Sequence, residues 1–265
     1  MEAEDSRVDL WARAPGHAVI HALLSRPGML RNRGAVARLV GCSPVTDAGK
    51  SWYSGALGEL EVGRMLRRLG PRWTVLHALP IGGGDTDIDH LIVGQAGVFT
   101  VNTKHHPGQR VWVAGHGFLV GGQRQGYIRK SQTEAQRVAR LLGNAVGWPV
   151  PVQAVVAVLG SASFTVKAPP IGVHVIKAGA LVRWLKRRPP VLTGQQLEAV
   201  LGVVGTATTW RAHPDDDADL NRHPQFDRLH REYGRARRRR LLLATIPVVG
   251  VLLAGWAYLP GVFGR

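Results

Sequence analysis

The sequence predicts an α/β fold, with a mixed central sheet flanked by helices and one transmembrane helix near the C-terminal end. Two observations carry this prediction. Helix-type and strand-type patterns alternate through the middle of the 265-residue chain, and an uncharged run occupies 241–264. The hydrophobic fraction of 45% and the charged fraction of 20% are ordinary for a globular protein, so we expect a well-filled core.

The patterns divide the chain into four predicted segments. Residues 1–50 form a helical N-terminal extension to which the sequence assigns no role, and 51–205 form the α/β domain. Residues 206–240 are a polar and then basic linker, because prolines flank the Asp215–Asp217 run and arginines follow it. The last segment, 241–264, is the predicted transmembrane helix.

Within the α/β domain, the order of elements follows from spacing. Residues 55–69 carry an apolar stripe typical of a helix. Ile88–Val93 and Val98–Lys104 are predicted strands, joined by a Gly94-Gln95-Ala96-Gly97 hairpin. Ser131–Leu142 is a predicted amphipathic helix, and Val150–Leu159 is a continuous apolar run that suits a buried strand.

The membrane prediction rests on length and on charge asymmetry. About 20 apolar residues in a helix cross a hydrocarbon core of ~30 Å. The Arg235–Arg240 block stands before the run and only Arg265 follows it, which orients the N-terminal side towards the cytoplasm. The sequence thus predicts a single-pass protein of the inner membrane with its main domain in the cytoplasm. The alternative is a buried helix with the arginine block as a nucleic-acid patch, and the length of the run disfavours it.

Charge and cysteine content restrict the compartment and the partners. Cys42 is the single cysteine, so it cannot form an intramolecular disulfide, and the acidic N-terminus is unlike a secretory signal. Both fit a reducing compartment. The net charge of +16 favours a phosphate-rich partner or an anionic membrane face. An arginine-rich genome composition explains it equally well, and the arginine block alone also fits an anchor for anionic lipid.

The predicted hairpin brings polar side chains together. If Gly94–Gly97 is the loop, Asp89 lies across from Asn102 and Asp87 across from Lys104, and all four share one face of the sheet. Carboxylate and amide oxygens suit Mg²⁺, and a lysine beside them stabilises charge on an attacked phosphate. The alternative is an ordinary cross-strand ion pair on a solvated face.

Two helices flank this hairpin and add further candidates. Glu59 and Glu61 both border the apolar stripe of the first helix, and helical geometry does not choose between them. Gln132 lies on the inward face of the second helix, where a capping role and a site role remain open.

The motifs taken together resemble a known family. They are three runs in a fixed order, Gly55–Glu59, Asp87–Gly94 and Gly97–Lys104. This set resembles the nuclease-related domain (NERD) family, which is similar to the PD-(D/E)xK phosphodiesterases of restriction-endonuclease-like fold. The resemblance is best from Trp52 to Leu142.

By position, the resemblance implies roles for individual residues. Glu59 matches the helix glutamate of the family, which favours it over Glu61. Asp89 matches the metal-binding aspartate, and Lys104 matches the catalytic lysine. Gln132 matches a glutamine on the following helix. The implied activity is hydrolysis of phosphodiester bonds in DNA or RNA with Mg²⁺, or with Mn²⁺ in its place.

One position departs from the family pattern. Two residues before the lysine the family has an acid, and this chain has Asn102. An amide oxygen can bind a hard cation but brings no negative charge. The expected metal set is therefore Asp89, Glu59 and Asn102, and a second hypothesis stays open: an inactive domain that binds nucleic acid or a protein at the membrane.

Overall fold

The computed structural model describes residues 9–81, 87–210 and 222–258, with side chains as far as residue 245. The chain folds as two compact units. The first comprises Met1–His21 and Trp52–Leu220, and the second comprises Ala22–Ser51 and Asn221–Arg265. The predicted extension 1–50 is thus divided between the two units.

The elements follow one another in this order: α1 (His17–Ser25), α2 (Ala35–Leu39), α3 (Lys50–Leu66), β1 (Thr74–Pro80), β2 (Asp87–Gly94), β3 (Gly97–His105), β4 (Arg110–Ala114), β5 (Gly117–Val120), β6 (Gln123–Arg124), α4 (Tyr127–Val146), β7 (Val152–Leu159), β8 (Ser163–Ala168), β9 (Val173–Lys177), α5 (Leu181–Lys186), α6 (Gly194–Val204), α7 (Ala207–Trp210) and α8 (His223–Tyr258).

A five-stranded sheet in the order β1-β2-β3-β7-β9 forms the centre of the first unit. Strands β1, β2 and β3 are antiparallel, whereas β3, β7 and β9 are parallel. The predicted mixed central sheet is therefore confirmed. A second sheet, in the order β6-β5-β4-β8, was not expected from the sequence. Its strands are two to six residues long, too short for a clear alternating pattern.

Helices cover both faces of the central sheet. On one face, Val62 and Leu66 of α3 pack with Phe99 and Val101 of β3. On the other face, α4 presents buried residues at intervals of three and four, the spacing of one helical face. They are Ile128, Ser131, Ala135, Val138 and Leu142. Strand β3 is thus enclosed between α3 and α4.

The hairpin between β2 and β3 has the predicted register. Val93 pairs with Val98, and the ladder continues to His90, which pairs with Val101. Because Gly94 pairs with Gly97, the turn itself is two residues long. Gly97 has φ +108°, and a Cβ at Gly94 would lie 2.7 Å from the Trp73 ring, so glycine is required at both positions.

The second unit is built on α8. Phe226 is buried on this helix, and Glu232 forms an ion pair with Arg33, whose own side chain is buried. The chain passes close to the helix at Gly41, where a Cβ would lie 2.6 Å from the carbonyl oxygen of Ala236.

The C-terminal helix requires a correction to the predicted membrane anchor. Within the part of the chain that the structure describes, no helix is both long enough and apolar enough to cross a bilayer. Residues 241–258 of the predicted segment continue a helix that begins at His223 and carries the Arg235–Arg240 block. The side chains of 246–258 and all of 259–264 lie outside the described residues. The predicted transmembrane helix is therefore wrong for the described chain, whereas the predicted inner-membrane location stays a prediction.

Candidate active site

The candidate site lies where the ladder between β2 and β3 ends. Pairing stops at His90 and Val101, one step before Asp89 would face Asn102. Beyond that point the backbone amide of Thr103 donates a hydrogen bond to Asp89 Oδ2 at 2.6 Å. The carboxylate of Asp89 is thereby fixed against the end of β3.

The backbone beside Asp89 is strained. Ala78 of β1 has φ +46°, and it interrupts the β1–β2 ladder at the position opposite Asp89. The carbonyl oxygen of Ala78 accepts a hydrogen bond from the buried Arg13 at 2.7 Å. A non-glycine residue keeps such a φ only when its surroundings hold it there, and such strain clusters at functional sites. The strained residue thus lies directly opposite Asp89.

Lys104 lies next to the aromatic ring of Tyr127. Its Nζ is 5.2 Å from the centroid of the Tyr127 ring, close enough for a cation–π contact. Tyr127 begins α4 and stacks on His106, with ring centroids 5.7 Å apart. These contacts restrict the ammonium group to the end of β3, two positions from Asn102 on the same face.

Asn102 is buried and is bound to an acid that was not among the predicted site residues. Its Nδ2 donates a hydrogen bond to Oε2 of Glu134 at 2.5 Å. Glu134 belongs to α4, and 3% of its side chain is exposed. The site therefore contains a carboxylate on α4, beside the β3 position at which the family pattern has an acid.

Glu59 reaches the site from α3. The helix can approach β3 closely because residue 58 is glycine: a Cβ there would lie 2.8 Å from His105 Cβ and 3.1 Å from Thr103 Cγ2. Burial and the negative charge of Asp89 raise the pKa of Glu59 well above its ordinary value, and the positive charge of Lys104 opposes them. Glu59, Asp89 and Lys104 are thus within electrostatic reach of one another.

A glycine-to-alanine pair tests this close approach. Gly58→Ala is expected to destabilise the domain by about 1–3 kcal/mol, because the new methyl group overpacks the contact with β3. Gly55→Ala in the same helix is the matched control. Its Cβ would meet only Val19 Cγ2 at 3.5 Å, so the gain in helix propensity of up to ~1 kcal/mol remains. Urea denaturation of both variants measures the difference, and equal stabilities would contradict the proposed packing.

The pKa values of the other two carboxyls of the site, those of Asp89 and Glu134, are raised as well. Burial raises the pKa of Asp89, while Lys104 and the Thr103 amide lower it. Burial also raises the pKa of Glu134, and the hydrogen bond from Asn102 opposes this shift. The negative charges of the site are therefore under-compensated by the protein's own cations, which is the electrostatic state that a bound cation relieves.

This electrostatic state predicts how stability depends on pH. Because the pKa of Glu59 is higher in the folded state than in the unfolded chain, this carboxyl loses its proton at a lower pH in the unfolded chain. The free energy of unfolding therefore falls as the pH rises from ~4 through the folded-state pKa. In EDTA at pH 7, Glu59→Gln is expected to raise the melting temperature by about 2–4 °C, equivalent to ~1 kcal/mol.

Glu61 provides the opposite control on the same helix. Its hydrogen bond with Arg64 lowers its pKa, so Glu61→Gln should leave the melting temperature unchanged or lower it slightly at pH 7. Melting curves of both variants between pH 4 and 8 check the sign. A Glu59→Gln variant that loses stability at pH 7 would show that Glu59 is a compensated structural acid.

Comparison with known families identifies the region that holds these residues. Residues 54–159 match the family model of the nuclease-related domain. Residues 54–159, about two fifths of the chain, are therefore similar to this family, and we refer to them as the nuclease-related domain. The match confirms the resemblance seen in the sequence, and this family is consistent with nucleic-acid binding.

One curated relative and the solved structures add context. The chain is similar to an uncharacterised protein of Bacillus anthracis, with 34% identity over 84 residues. These residues are 30% of this chain and 38% of that protein, so the chain spans well under half of its relative. No solved structure matches the chain at a significant level.

Not every residue suggested by the resemblance joins the site of the nuclease-related domain. Gln132 donates its amide to the carbonyl oxygen of Ile171 at 2.7 Å. It stands two residues before Glu134, and this spacing turns the two side chains about 200° apart on the helix. His90, which the resemblance does not place in the site, lies on the opposite face of β2, buried between His77 and Thr103.

The donor set of the domain fits a hard cation held by few protein ligands. Among residues 9–81, 87–210 and 222–245, no three or more His, Cys, Asp or Glu side chains are arranged to hold a metal ion. Mg²⁺ commonly uses one or two carboxylates and completes its shell with water and substrate phosphate, so the oxygens of Asp89, Glu59 and Asn102 fit it.

Sequence reasoning missed Glu134 and Tyr127, and a signal for Glu134 was present. In α4, position 134 falls on the buried stripe, four residues before Val138. An acid on an apolar stripe is unusual unless it is paired. Tyr127 gave no such signal, because its relation to Lys104 depends on where α4 begins.

Proposed function

We propose that the nuclease-related domain hydrolyses phosphodiester bonds in DNA or RNA with a divalent cation, Mg²⁺ or Mn²⁺. The observation that carries this proposal is the arrangement at the end of the β2–β3 ladder. Asp89 is fixed by the Thr103 amide, Lys104 is held beside Tyr127, and Glu59 is within electrostatic reach of both.

The charge of the domain supports a polyanionic substrate. Between residues 90 and 197 the chain has thirteen lysines and arginines and one acid, Glu134, which is buried. The accessible surface of this part therefore carries no competing carboxylate. A nucleic-acid backbone would gain favourable contacts along it, and its binding should weaken as salt increases.

The side chains divide the reaction between them. Lys104 would donate hydrogen bonds to a non-bridging phosphate oxygen and stabilise the charge that develops there in the transition state. Asp89 and Glu59 would hold the cation together with the side-chain oxygen of Asn102. The cation supplies Lewis-acid polarisation of the phosphate. Tyr127 would limit the freedom of the Lys104 ammonium and keep it directed at the phosphate.

The experiment is a cleavage assay on the full chain. Protein stripped of metal is mixed with labelled single-stranded DNA, double-stranded DNA or RNA, and Mg²⁺ is added. Cleavage should require the metal, and Asp89→Asn should reduce its rate by at least ~100-fold. Asp227→Asn, an exposed aspartate on α8, is the matched control and should cleave as the parent does. Equal cleavage by the Asp89→Asn variant would contradict the proposal.

A second candidate function is a domain that binds nucleic acid without cutting it. Asn102 is the observation that favours it, because this position lacks the expected negative charge. Salt-sensitive binding with no cleavage at any Mg²⁺ or Mn²⁺ concentration would support this candidate. If Asn102→Glu then created metal-dependent cleavage, the natural domain would be a degenerate member of its family.

A further inference from the structure

A buried carboxylate faces the candidate site from the side opposite α3. Glu134 lies on the apolar stripe of α4, with 3% of its side chain exposed, and it is the one acid in 108 residues of an otherwise basic stretch, 90–197. An acid in this position is unfavourable unless specific partners compensate it. Its contacts therefore indicate what it does.

The two carboxylate oxygens of Glu134 have different hydrogen-bonding surroundings. Oε2 accepts the short hydrogen bond from Asn102 Nδ2. Oε1 is buried and has no hydrogen-bond donor among the described residues, and its ion pair with the exposed Lys130 Nζ, at 3.7 Å, is longer than a hydrogen bond. The carboxylate thus retains negative charge that the protein does not fully satisfy.

This contact also fixes the orientation of Asn102. An ionised carboxylate only accepts hydrogen bonds, so the amide nitrogen must face Glu134 and the amide oxygen must point elsewhere. Asn102 occupies the register position opposite Asp89, and the next amide along β3, that of Thr103, is bound to Asp89. Consecutive residues of one strand are therefore tied to the two carboxylates.

We propose that Asn102 and Glu134 act together in place of a single acidic ligand. Asn102 presents its Oδ1 to the divalent cation, and Glu134 is the positioning residue that orients the amide and supplies the missing negative charge. This inference rests on the proposed function, since it requires a cation at Asp89. It explains how the domain keeps a cation site although position 102 is uncharged.

A purely structural role makes a different prediction. If Glu134 only anchored α4 to β3, a glutamine there would serve almost as well, because its side-chain oxygen can still accept from Asn102. The negative charge also forms an ion pair with the exposed Lys130 at 3.7 Å, but loss of that pair would change stability and not the affinity for Mn²⁺. Replacing the carboxylate by an amide therefore separates the two roles without removing the hydrogen bond.

The test measures Mn²⁺ binding to the full chain by electron paramagnetic resonance, without nucleic acid. Glu134→Gln should weaken Mn²⁺ binding about 10–100-fold, the usual effect of losing a residue that supports a ligand. The double variant Asn102→Asp with Glu134→Gln returns one charge to the pair and keeps its hydrogen bond, so it should bind Mn²⁺ within about threefold of the parent. Glu61→Gln, a surface acid on α3, is the matched control and should bind as the parent does.

Each outcome has one meaning. Unchanged Mn²⁺ affinity in Glu134→Gln, with affinity lost in Asp89→Asn, would overturn the role of Glu134 and leave the proposed function standing. Failure of the double variant to recover affinity would overturn the inference as well, provided that its melting curve matches that of Glu134→Gln. Mn²⁺ affinity that is the same in the parent and in Asp89→Asn would overturn both the inference and the proposed cation site.

Discussion

Replacing Lys104 by alanine is expected to lower kcat for phosphodiester cleavage by about 10²–10³-fold, the usual effect of removing one preorganised charge-stabilising group. The ammonium group of Lys104 lies beside Tyr127 at the end of β3, and in the proposed reaction it would act on charge that develops in the transition state. Affinity for nucleic acid should change little, because the other basic residues of 90–197 still attract the backbone. Single-turnover cleavage and filter binding measure the two quantities separately.

The control for Lys104 is a lysine outside the site. Lys167 is exposed on β8, so Lys167→Ala should leave kcat unchanged and weaken binding slightly. Lys104→Arg is the stricter variant, because a planar guanidinium does not reproduce the compact charge of an ammonium beside an aromatic ring. Cleavage by Lys104→Ala at the parental kcat would contradict the assigned role of Lys104.

Replacing Phe99 by alanine is expected to lower the free energy of unfolding by about 3–5 kcal/mol. Phe99 is fully buried in β3, and its ring packs against Trp73 and Trp184 at centroid distances of 6.1 and 5.7 Å. Loss of the ring leaves a cavity between the central strand and the helices on that face. Urea denaturation followed by tryptophan fluorescence reports on this loss directly.

An exposed aromatic on a strand is the matched control for Phe99. Trp112 lies on β4 with 40% of its surface accessible, so Trp112→Ala should cost less than ~1 kcal/mol. Similar costs for both variants would mean that β3 is not the centre of the core.

The hairpin and its register could be derived from the sequence because the relevant physics is local. Glycines flank a two-residue turn, and side chains alternate along each strand, so the placement of Asp89, Asn102 and Lys104 on one face followed directly. The short strands of the second sheet could not be derived in this way. They depend on pairing between β4 and β8, which are distant in sequence.

Only some of the site residues could be predicted from the sequence. Periodicity alone left Glu59 and Glu61 equal, and the family resemblance decided between them. In the structure, the close approach at Gly58 brings α3 against β3, whereas Glu61 pairs with Arg64. Glu134 was not predicted because its role depends on a hydrogen bond with Asn102 of β3, and the two residues are 32 positions apart in the chain.

The C-terminal helix shows a different kind of error. Composition within a window suggested a membrane span, but a window does not show where a helix begins. The helix starts at His223 and carries a dense arginine block before the apolar residues. The described part of this helix does not reach the length and hydropathy that a membrane span requires.

Anomalous diffraction from crystals of the full chain soaked in Mn²⁺ with a short oligonucleotide tests the proposed site most directly. The predicted result is one Mn²⁺ peak in contact with Asp89 and Glu59, with a phosphate of the oligonucleotide beside Lys104. A Mn²⁺ peak away from Asp89, or an oligonucleotide bound far from Lys104, would contradict the assignment of this site to phosphodiester cleavage.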